Sequence, residues 1–462
     1  MTTLHGAPAL VPTDGFAGAI LREGDDGYES ARFGWNAVFD RRPAVILRCG
    51  STADVVAAVG VARGSGREVA VRAGGHSLSG QSTTEGGVLI DLSPMRGIEI
   101  DADRRVARVQ PGVTWRELDA ATAEHGLATT GGLIPSTGVA GLTLGGGIGW
   151  LMRRHGLACD NLVGAEVVTA ARQVIRAGDG DDPDLLWGLR GGGGNFGIVT
   201  SFELRLHPVT TVLGGLALFP LDAGAAVLRT YRSWVDGLPD AFTTLAAIVG
   251  APPAPFVPPD LVGHPVVAIA GCFVGDPDAG QALLAPIRSH EPFADVFGPM
   301  PYAALQGMLE GGAPSGLRSY TTSGYLADLS DDLIATLLDH GARLASPLSQ
   351  IHLHQMGGAV ARVGEDDTAF GHRRAAYTYN LLGTWMDAAD DGPMTAWVRE
   401  LSAAIRPFAS GGVYVNFLGS GEDDRVRSAY DDPTWRRLAA LKRRLDPDNL
   451  FHRNHNIAPA SA

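Results

Sequence analysis

A chain of 462 residues is long enough for two large domains, and a hydrophobic content of 45% can fill their cores. With 50 acidic against 37 basic residues the net charge is −13, and no basic block is present to follow a nucleic-acid backbone, so nucleic acid is excluded as a partner. No apolar run approaches the ~20 residues that span a bilayer, and the opening MTTLHGAPALVPTDGF has neither a basic stretch nor a long apolar core. The expectation is a cytoplasmic protein with no membrane partner.

Three cysteines, Cys49, Cys159 and Cys272, are odd in number, too few for a disulfide framework, and fit a reducing compartment. Cys49 and Cys272 lie in apolar runs and read as buried packing residues. Lys442 is the only lysine, and the bias toward arginine is that of a GC-rich bacterial genome. A P-loop, which needs Gly-Lys-[Ser/Thr], is thereby excluded, and a Schiff-base lysine nearly so.

In chain order, AVILRC reads as a strand and Ser51-Thr52-Ala53-Asp54 as the start of a helix, followed by the strands EVAVR, GVLIDL and RRVARVQPG. After EVAVR the run Arg72-Ala73-Gly74-Gly75-His76-Ser77 offers backbone freedom and bare N–H groups where a pyrophosphate fits. Thr114 and Glu117 form a capping box that opens a helix ending at Gly126. Glycine is dense in GGLIPSTGVAGLTLGGGIG and RGGGGNFG. From about Thr210 to Gly411, strands separated by Pro-rich turns alternate with helices such as Leu329 to Leu344, which reads as a second domain. A final helix is expected around Thr434 to Leu445.

Several motifs carry competing readings. Gly192 to Gly197 (GGGNFG) formally matches G-x-G-x-x-G, yet the following IVTSFELRL alternates as a strand and opens no helix, so the Rossmann reading fails. Gly75-His76-Ser77-Leu78-Ser79 falls one residue short of a hydrolase elbow, which makes a serine hydrolase using Ser77 the alternative from another class. The loop composition after Ser79 argues against it. Cys159 follows Arg153-Arg154-His155, cations that favour a thiolate. His352 and His354 share one face of the strand IHLHQM; their spacing alone does not make a metal site, since no third ligand is near. Tyr377 and Tyr379 (AAYTYNLLGTW), and Tyr414 with Asn416 (VYVNFLG), also read as alternating strand positions able to point tyrosines into one cavity.

The run from Arg72 to Ser77, the segment Gly145 to Asn161 (GGGIGWLMRRHGLACDN) and the ending Tyr414-Val415-Asn416 with DPDNLF and NHNI together resemble the berberine-bridge-enzyme-like flavoproteins, of the vanillyl-alcohol-oxidase / p-cresol-methylhydroxylase (PCMH) type. The likeness runs from about Arg41 to Ile457. It implies an α+β, two-domain FAD-binding fold of PCMH type, with residues 1–209 and a returning 412–462 binding FAD. Residues 210–411 would form a substrate domain of antiparallel sheet covered by helices. It implies FAD bound covalently through both His76 and Cys159, with Arg72, Gly74, Gly75, Ser77, Gly145, Gly146, Gly147, Gly197, Ile198, Val199, Asn416 and Asn456 as further cofactor contacts. Tyr414 is the implied base, with Tyr379 as its helper, while His352, His354, Tyr377 and Asn380 would meet a small-molecule substrate. The implied activity is hydride removal from an alcohol, hemiacetal or activated C–H of a secondary metabolite or sugar, with O2 as electron acceptor. A dehydrogenase with another acceptor is the alternative within the family, and Leu162 is placed where oxygen access is gated.

Overall fold

The structure, a computed structural model, describes residues 15–178 and 180–461. The N-terminal segment read above for a leader therefore lies, up to residue 14, outside the described residues. No helix among those described is long and apolar enough to cross a membrane.

Val45–Arg48, Val88–Asp91 and Val69–Arg72 lie side by side as parallel strands, with Ala19–Leu21 antiparallel at one edge. Their nearly continuous apolar sequences suit strands buried on both faces. The helix Thr52–Ser65 packs beside them; Ser51 caps it by accepting from the Asp54 N–H at 3.2 Å, and Gly66 ends it at φ 64°. A second, antiparallel sheet follows the spatial order Ile98–Asp101, Val106–Val109, Ile198–Arg205, Leu162–Val168, Val174–Gly178. The capping box forms as read: Glu117 accepts from the Thr114 N–H at 2.9 Å, and the helix spans Trp115–Ala123, three residues short of Gly126.

The chain from Thr211 onward builds an eight-stranded sheet whose longest strands are Thr211–Pro220, Pro265–Phe273, Phe242–Gly250, Gln350–Gln355, Tyr377–Trp385 and Arg318–Leu326 in spatial order, the last forming an edge. Successive side chains alternate between faces. Ala217, Phe219, Phe242, Ala246, Ile248, Val267 and Ile269 pack against the helices Gly224–Asp236, Asp331–Gly341 and Asp391–Ile405. Leu216, Leu218, Leu245, Ala247, Ala268 and Ala270 point the other way.

The C-terminal helix Asp432–Leu445, capped by Asp431, packs with Val413, Val415, Leu418 and Ile457 into the core that holds Val109, Leu118, Val167 and Phe202. One reading is corrected here. VYVNFLG is no strand: Val415–Phe417 is a single 3-10 turn, which folds Asn416 back beside Tyr414.

Candidate active site

A cavity of about 1110 Å³ lies between the glycine-rich loops and the bare face of the large sheet. It exceeds the ~300–1,000 Å³ of ordinary ligand pockets, so it has room for a dinucleotide and a second molecule. One half is walled by Ala73 to Ser79, Gly138, Gly145, Gly192 to Asn195, Gly197, Ile198, Val199 and Arg453 to His455. The loops approach closely because they are glycine: a Cβ on Gly74 would stand 2.5 Å from the Gly138 Cα. A Cβ on Gly194 would meet nothing within 4 Å, so that backbone stands open to the cavity. Ile198–Arg205 leaves the GGGNFG loop as a strand, as its alternation predicts.

His76 sits on this wall with its ring stacked on Trp35 at 4.8 Å, and its Nε2 lies 3.4 Å from the Ser136 hydroxyl. Burial pushes its pKa down to about 4, so the ring is neutral and nucleophilic at pH 7. Ser77 also lines the cavity, but its hydroxyl accepts from the Gln81 N–H at 3.0 Å. The loop runs on without a helix, so the elbow that a serine hydrolase needs is missing.

Tyr414 is buried and faces the same cavity. Its oxygen accepts from the Gly147 N–H at 2.9 Å, the Ile148 N–H at 3.4 Å and the Asn416 Nδ2 at 2.8 Å. Those donors favour a phenolate, but burial outweighs them and holds the pKa up at about 12. Asn416 also donates to the Leu142 carbonyl at 3.0 Å, and it stands where a Gly145 side chain would be.

On the sheet side, His352 and Asn380 are cross-strand partners, and His354 pairs with Leu245; all three polar side chains line the cavity. His352 Nε2 lies 2.8 Å from the Gln350 Oε1, whereas His354 Nε2 is buried with no hydrogen-bond partner. Burial lowers both pKa values, that of His352 to about 4. Asn380 accepts from Thr321 Oγ1 at 2.5 Å.

Other expected residues fall elsewhere. Tyr377 and Tyr379 occupy the opposite strand face, packed among the helices, because odd positions of Tyr377–Trp385 point away from the cavity that Asn380 and Leu382 line. Neither side chain lines the cavity. Cys159 is fully buried in an apolar cluster with Met152, Leu157, Met356, Val360 and Tyr414, and it is not on the cavity wall. Its thiol is pushed well above its usual pKa by burial and by Asp160, against Arg373 and Arg190. Arg153 does not supply the expected cation; it is spent on the Phe242 and Met356 carbonyls. Of the two expected tethers, His76 lies on the cavity wall and Cys159 lies behind it. Leu162 is likewise buried off the wall. Arg72 pairs with Asp91 at 3.0 Å and braces the His76 loop from behind. Gly146 and Gly147 pack against Phe370 and Ala158, and of the NHN run Asn454 and His455, not Asn456, reach the cavity.

Three contributors were not singled out as site residues from sequence. Trp35 and Ser136 hold the His76 ring, and no local motif marks either. Lys442 did carry a signal, being the only lysine. Its enclosed ammonium donates to Asp446 at 2.7 Å and to the Asn195 and Phe451 carbonyls at 2.9 Å each, tying together two loops of the cavity wall.

The residues present fit a flavin dinucleotide. Open glycine backbone supplies N–H groups for a diphosphate, and Arg453, paired to Glu68 at 2.9 Å, is the only permanently charged side chain on the wall among the described residues. Residues 43–178 match the FAD binding domain family, and residues 413–458 match the family described as berberine and berberine like. The chain is 30% identical to (R)-6-hydroxynicotine oxidase of Paenarthrobacter nicotinovorans over 456 residues, 96% of this chain and 97% of that protein. It is 29% identical to a FAD-linked oxidoreductase of Dictyostelium discoideum, covering 96% of this chain and 95% of that one. The crystal structure of 6-hydroxy-D-nicotine oxidase from Arthrobacter nicotinovorans superimposes with a TM-score of 0.88 at 28% identity, covering 98% of this chain and 100% of that one. With its mixed α+β architecture of PCMH type, the chain belongs to the berberine-bridge-enzyme-like FAD-linked oxidoreductases.

Proposed function

We propose that the protein is an oxidase that takes hydride from a hydroxyl-bearing or otherwise activated carbon, with FAD held by one covalent bond to His76 and O2 as electron acceptor. The observation that carries this reading is the neutral His76 ring, clamped by Trp35 and Ser136, on the same cavity wall as the Tyr414–Asn416 pair. The likeness to (R)-6-hydroxynicotine oxidase supports it. His76 would hold the flavin through a ring nitrogen, which would lose its proton on bonding to the 8α-methyl carbon, with O2 as the oxidant that takes up the two electrons and two protons released.

When bound, the flavin supplies N5 as hydride acceptor. Tyr414 receives the substrate's hydroxyl proton on its oxygen, where the Gly147 and Ile148 N–H groups and Asn416 stabilise the phenolate it must first become. His352, His354 and Asn380 orient the substrate from the sheet. No feature of the wall favours the dehydrogenase alternative, and rapid reoxidation by air of the reduced protein is expected.

Acid denaturation followed by intact-mass analysis tests the tether. The wild-type chain should stay yellow and carry one FAD, with the flavin on the His76 peptide. Cys159→Ala should do the same, and His76→Ala should release its flavin. Flavin recovered on the Cys159 peptide would refute the single-tether reading.

A further inference from the structure

The substrate half of the cavity carries information about its occupant that the family assignment does not. Its wall is built from the bare face of the large sheet, with Leu216, Leu218, Leu245, Ala247, Ala268 and Ala270 projecting inward at alternating positions. Among the described residues no aspartate, glutamate, lysine or arginine lines this half; Arg453 belongs to the glycine-loop half. The mouth is apolar too. Phe256 and Val262, at 39% exposure each, are two of the five large hydrophobic side chains that stand exposed among the described residues, and both border this cavity.

Polar groups in this half are few and uncharged. Asn380 uses its oxygen on Thr321, His354 has a buried Nε2 without a partner, and His352 shares a hydrogen bond with Gln350. Burial keeps both histidines neutral at pH 7, which removes the one remaining source of charge. A cation entering here leaves its water shell and finds no carboxylate. A sugar would desolvate a hydroxyl on nearly every carbon against a wall that answers two or three of them.

We infer that the substrate is an uncharged, largely apolar molecule presenting one polar group to His354 and Asn380, and that protonated amines and oligosaccharides are rejected. This deepens the oxidase reading and rests on it for the fate of the ligand, but the selectivity is a property of the wall and is measured without turnover.

The test uses the flavin-loaded protein and three probes at pH 7.5: 2-naphthylmethanol, its isostere 2-naphthylmethylamine, which is protonated there, and cellobiose. Binding is followed by calorimetry and by perturbation of the visible flavin spectrum. The neutral alcohol should bind at least tenfold more tightly than the ammonium isostere and shift the spectrum, while cellobiose produces neither heat nor shift. Equal or tighter binding of the amine or of cellobiose overturns the inference. So does failure of the alcohol to bind, or alcohol binding that leaves the flavin spectrum unchanged. A yellow, acid-stable protein that prefers cellobiose would leave the oxidase reading standing and remove only this one. A protein without flavin would remove the oxidase reading itself, and calorimetry would still read the selectivity.

Discussion

Tyr414 shows how little of a residue's chemistry is set by its type. Three donors converge on its oxygen, an arrangement that favours the ionised form, while full burial opposes ionisation more strongly and leaves the pKa at about 12. A base must be unprotonated to act, so below that value the reactive fraction grows with each step in pH. The rate of flavin reduction should therefore climb through the alkaline range, and Tyr414→Phe should lose both that slope and ~10²–10⁴ of the rate, as stopped-flow reduction across pH 7 to 10 would show. A Tyr414→Phe protein with the wild-type profile would assign the proton to another group. Cys159 makes the converse point. Its neighbours in sequence are cationic, but the side chain lies in an apolar cluster beside Asp160, and its thiol is held protonated.

At the level of single elements, strand parity decides which side chains reach the cavity. Tyr377–Trp385 presents Asn380 and Leu382 to the cavity and buries Tyr377 and Tyr379 under helices. Tyr379→Phe should accordingly leave kcat within about threefold of wild type, whereas Asn380→Ala should raise KM by about tenfold, which corresponds to the ~1.4 kcal/mol typical of one lost hydrogen bond. Steady-state kinetics on any turned-over substrate separates the two. Strands, the capped helix at Thr114 and the failed Rossmann context were all legible in the sequence, because period and cap chemistry are local. What was not legible is which face of a strand looks inward. That depends on the helices Gly224–Asp236 and Asp331–Gly341 having claimed the odd face, a long-range choice that no local window contains. The turn at Val415–Phe417 escaped for the same reason: its alternation mimics a strand, and its fold-back is fixed by Asn416 reaching Tyr414 and the distant Leu142 carbonyl. His76 was legible because a glycine-flanked histidine carries its own context, while its clamps, Trp35 and Ser136, come from remote segments.

Across the whole molecule, burial of histidine sets the acid limit of stability. His76, His352, His207 and His455 are each lowered to about 4 and His155 to about 3, chiefly by desolvation. Each group's folded pKa lies below its unfolded value of ~6.5, so between those values the unfolded chain binds more protons, and stability falls as pH falls through that window. Asp119, raised to about 7 by complete burial, and Glu422, also raised chiefly by burial, act in the opposite sense, against these five rings and His354, which burial lowers as well. The melting temperature should drop steadily from pH 7 to pH 4.5, read by scanning calorimetry. A flat profile would mean that these rings gain compensating partners in solution.

The enclosed ammonium of Lys442 has a practical consequence as well. Because the chain's single lysine has no solvent-accessible side-chain surface, no lysine is presented to the outside. Succinimidyl dyes, lysine-directed cross-linkers and glutaraldehyde will find no side-chain amine on the folded protein, and lysine labelling becomes a direct report of unfolding at the loops that Lys442 ties together.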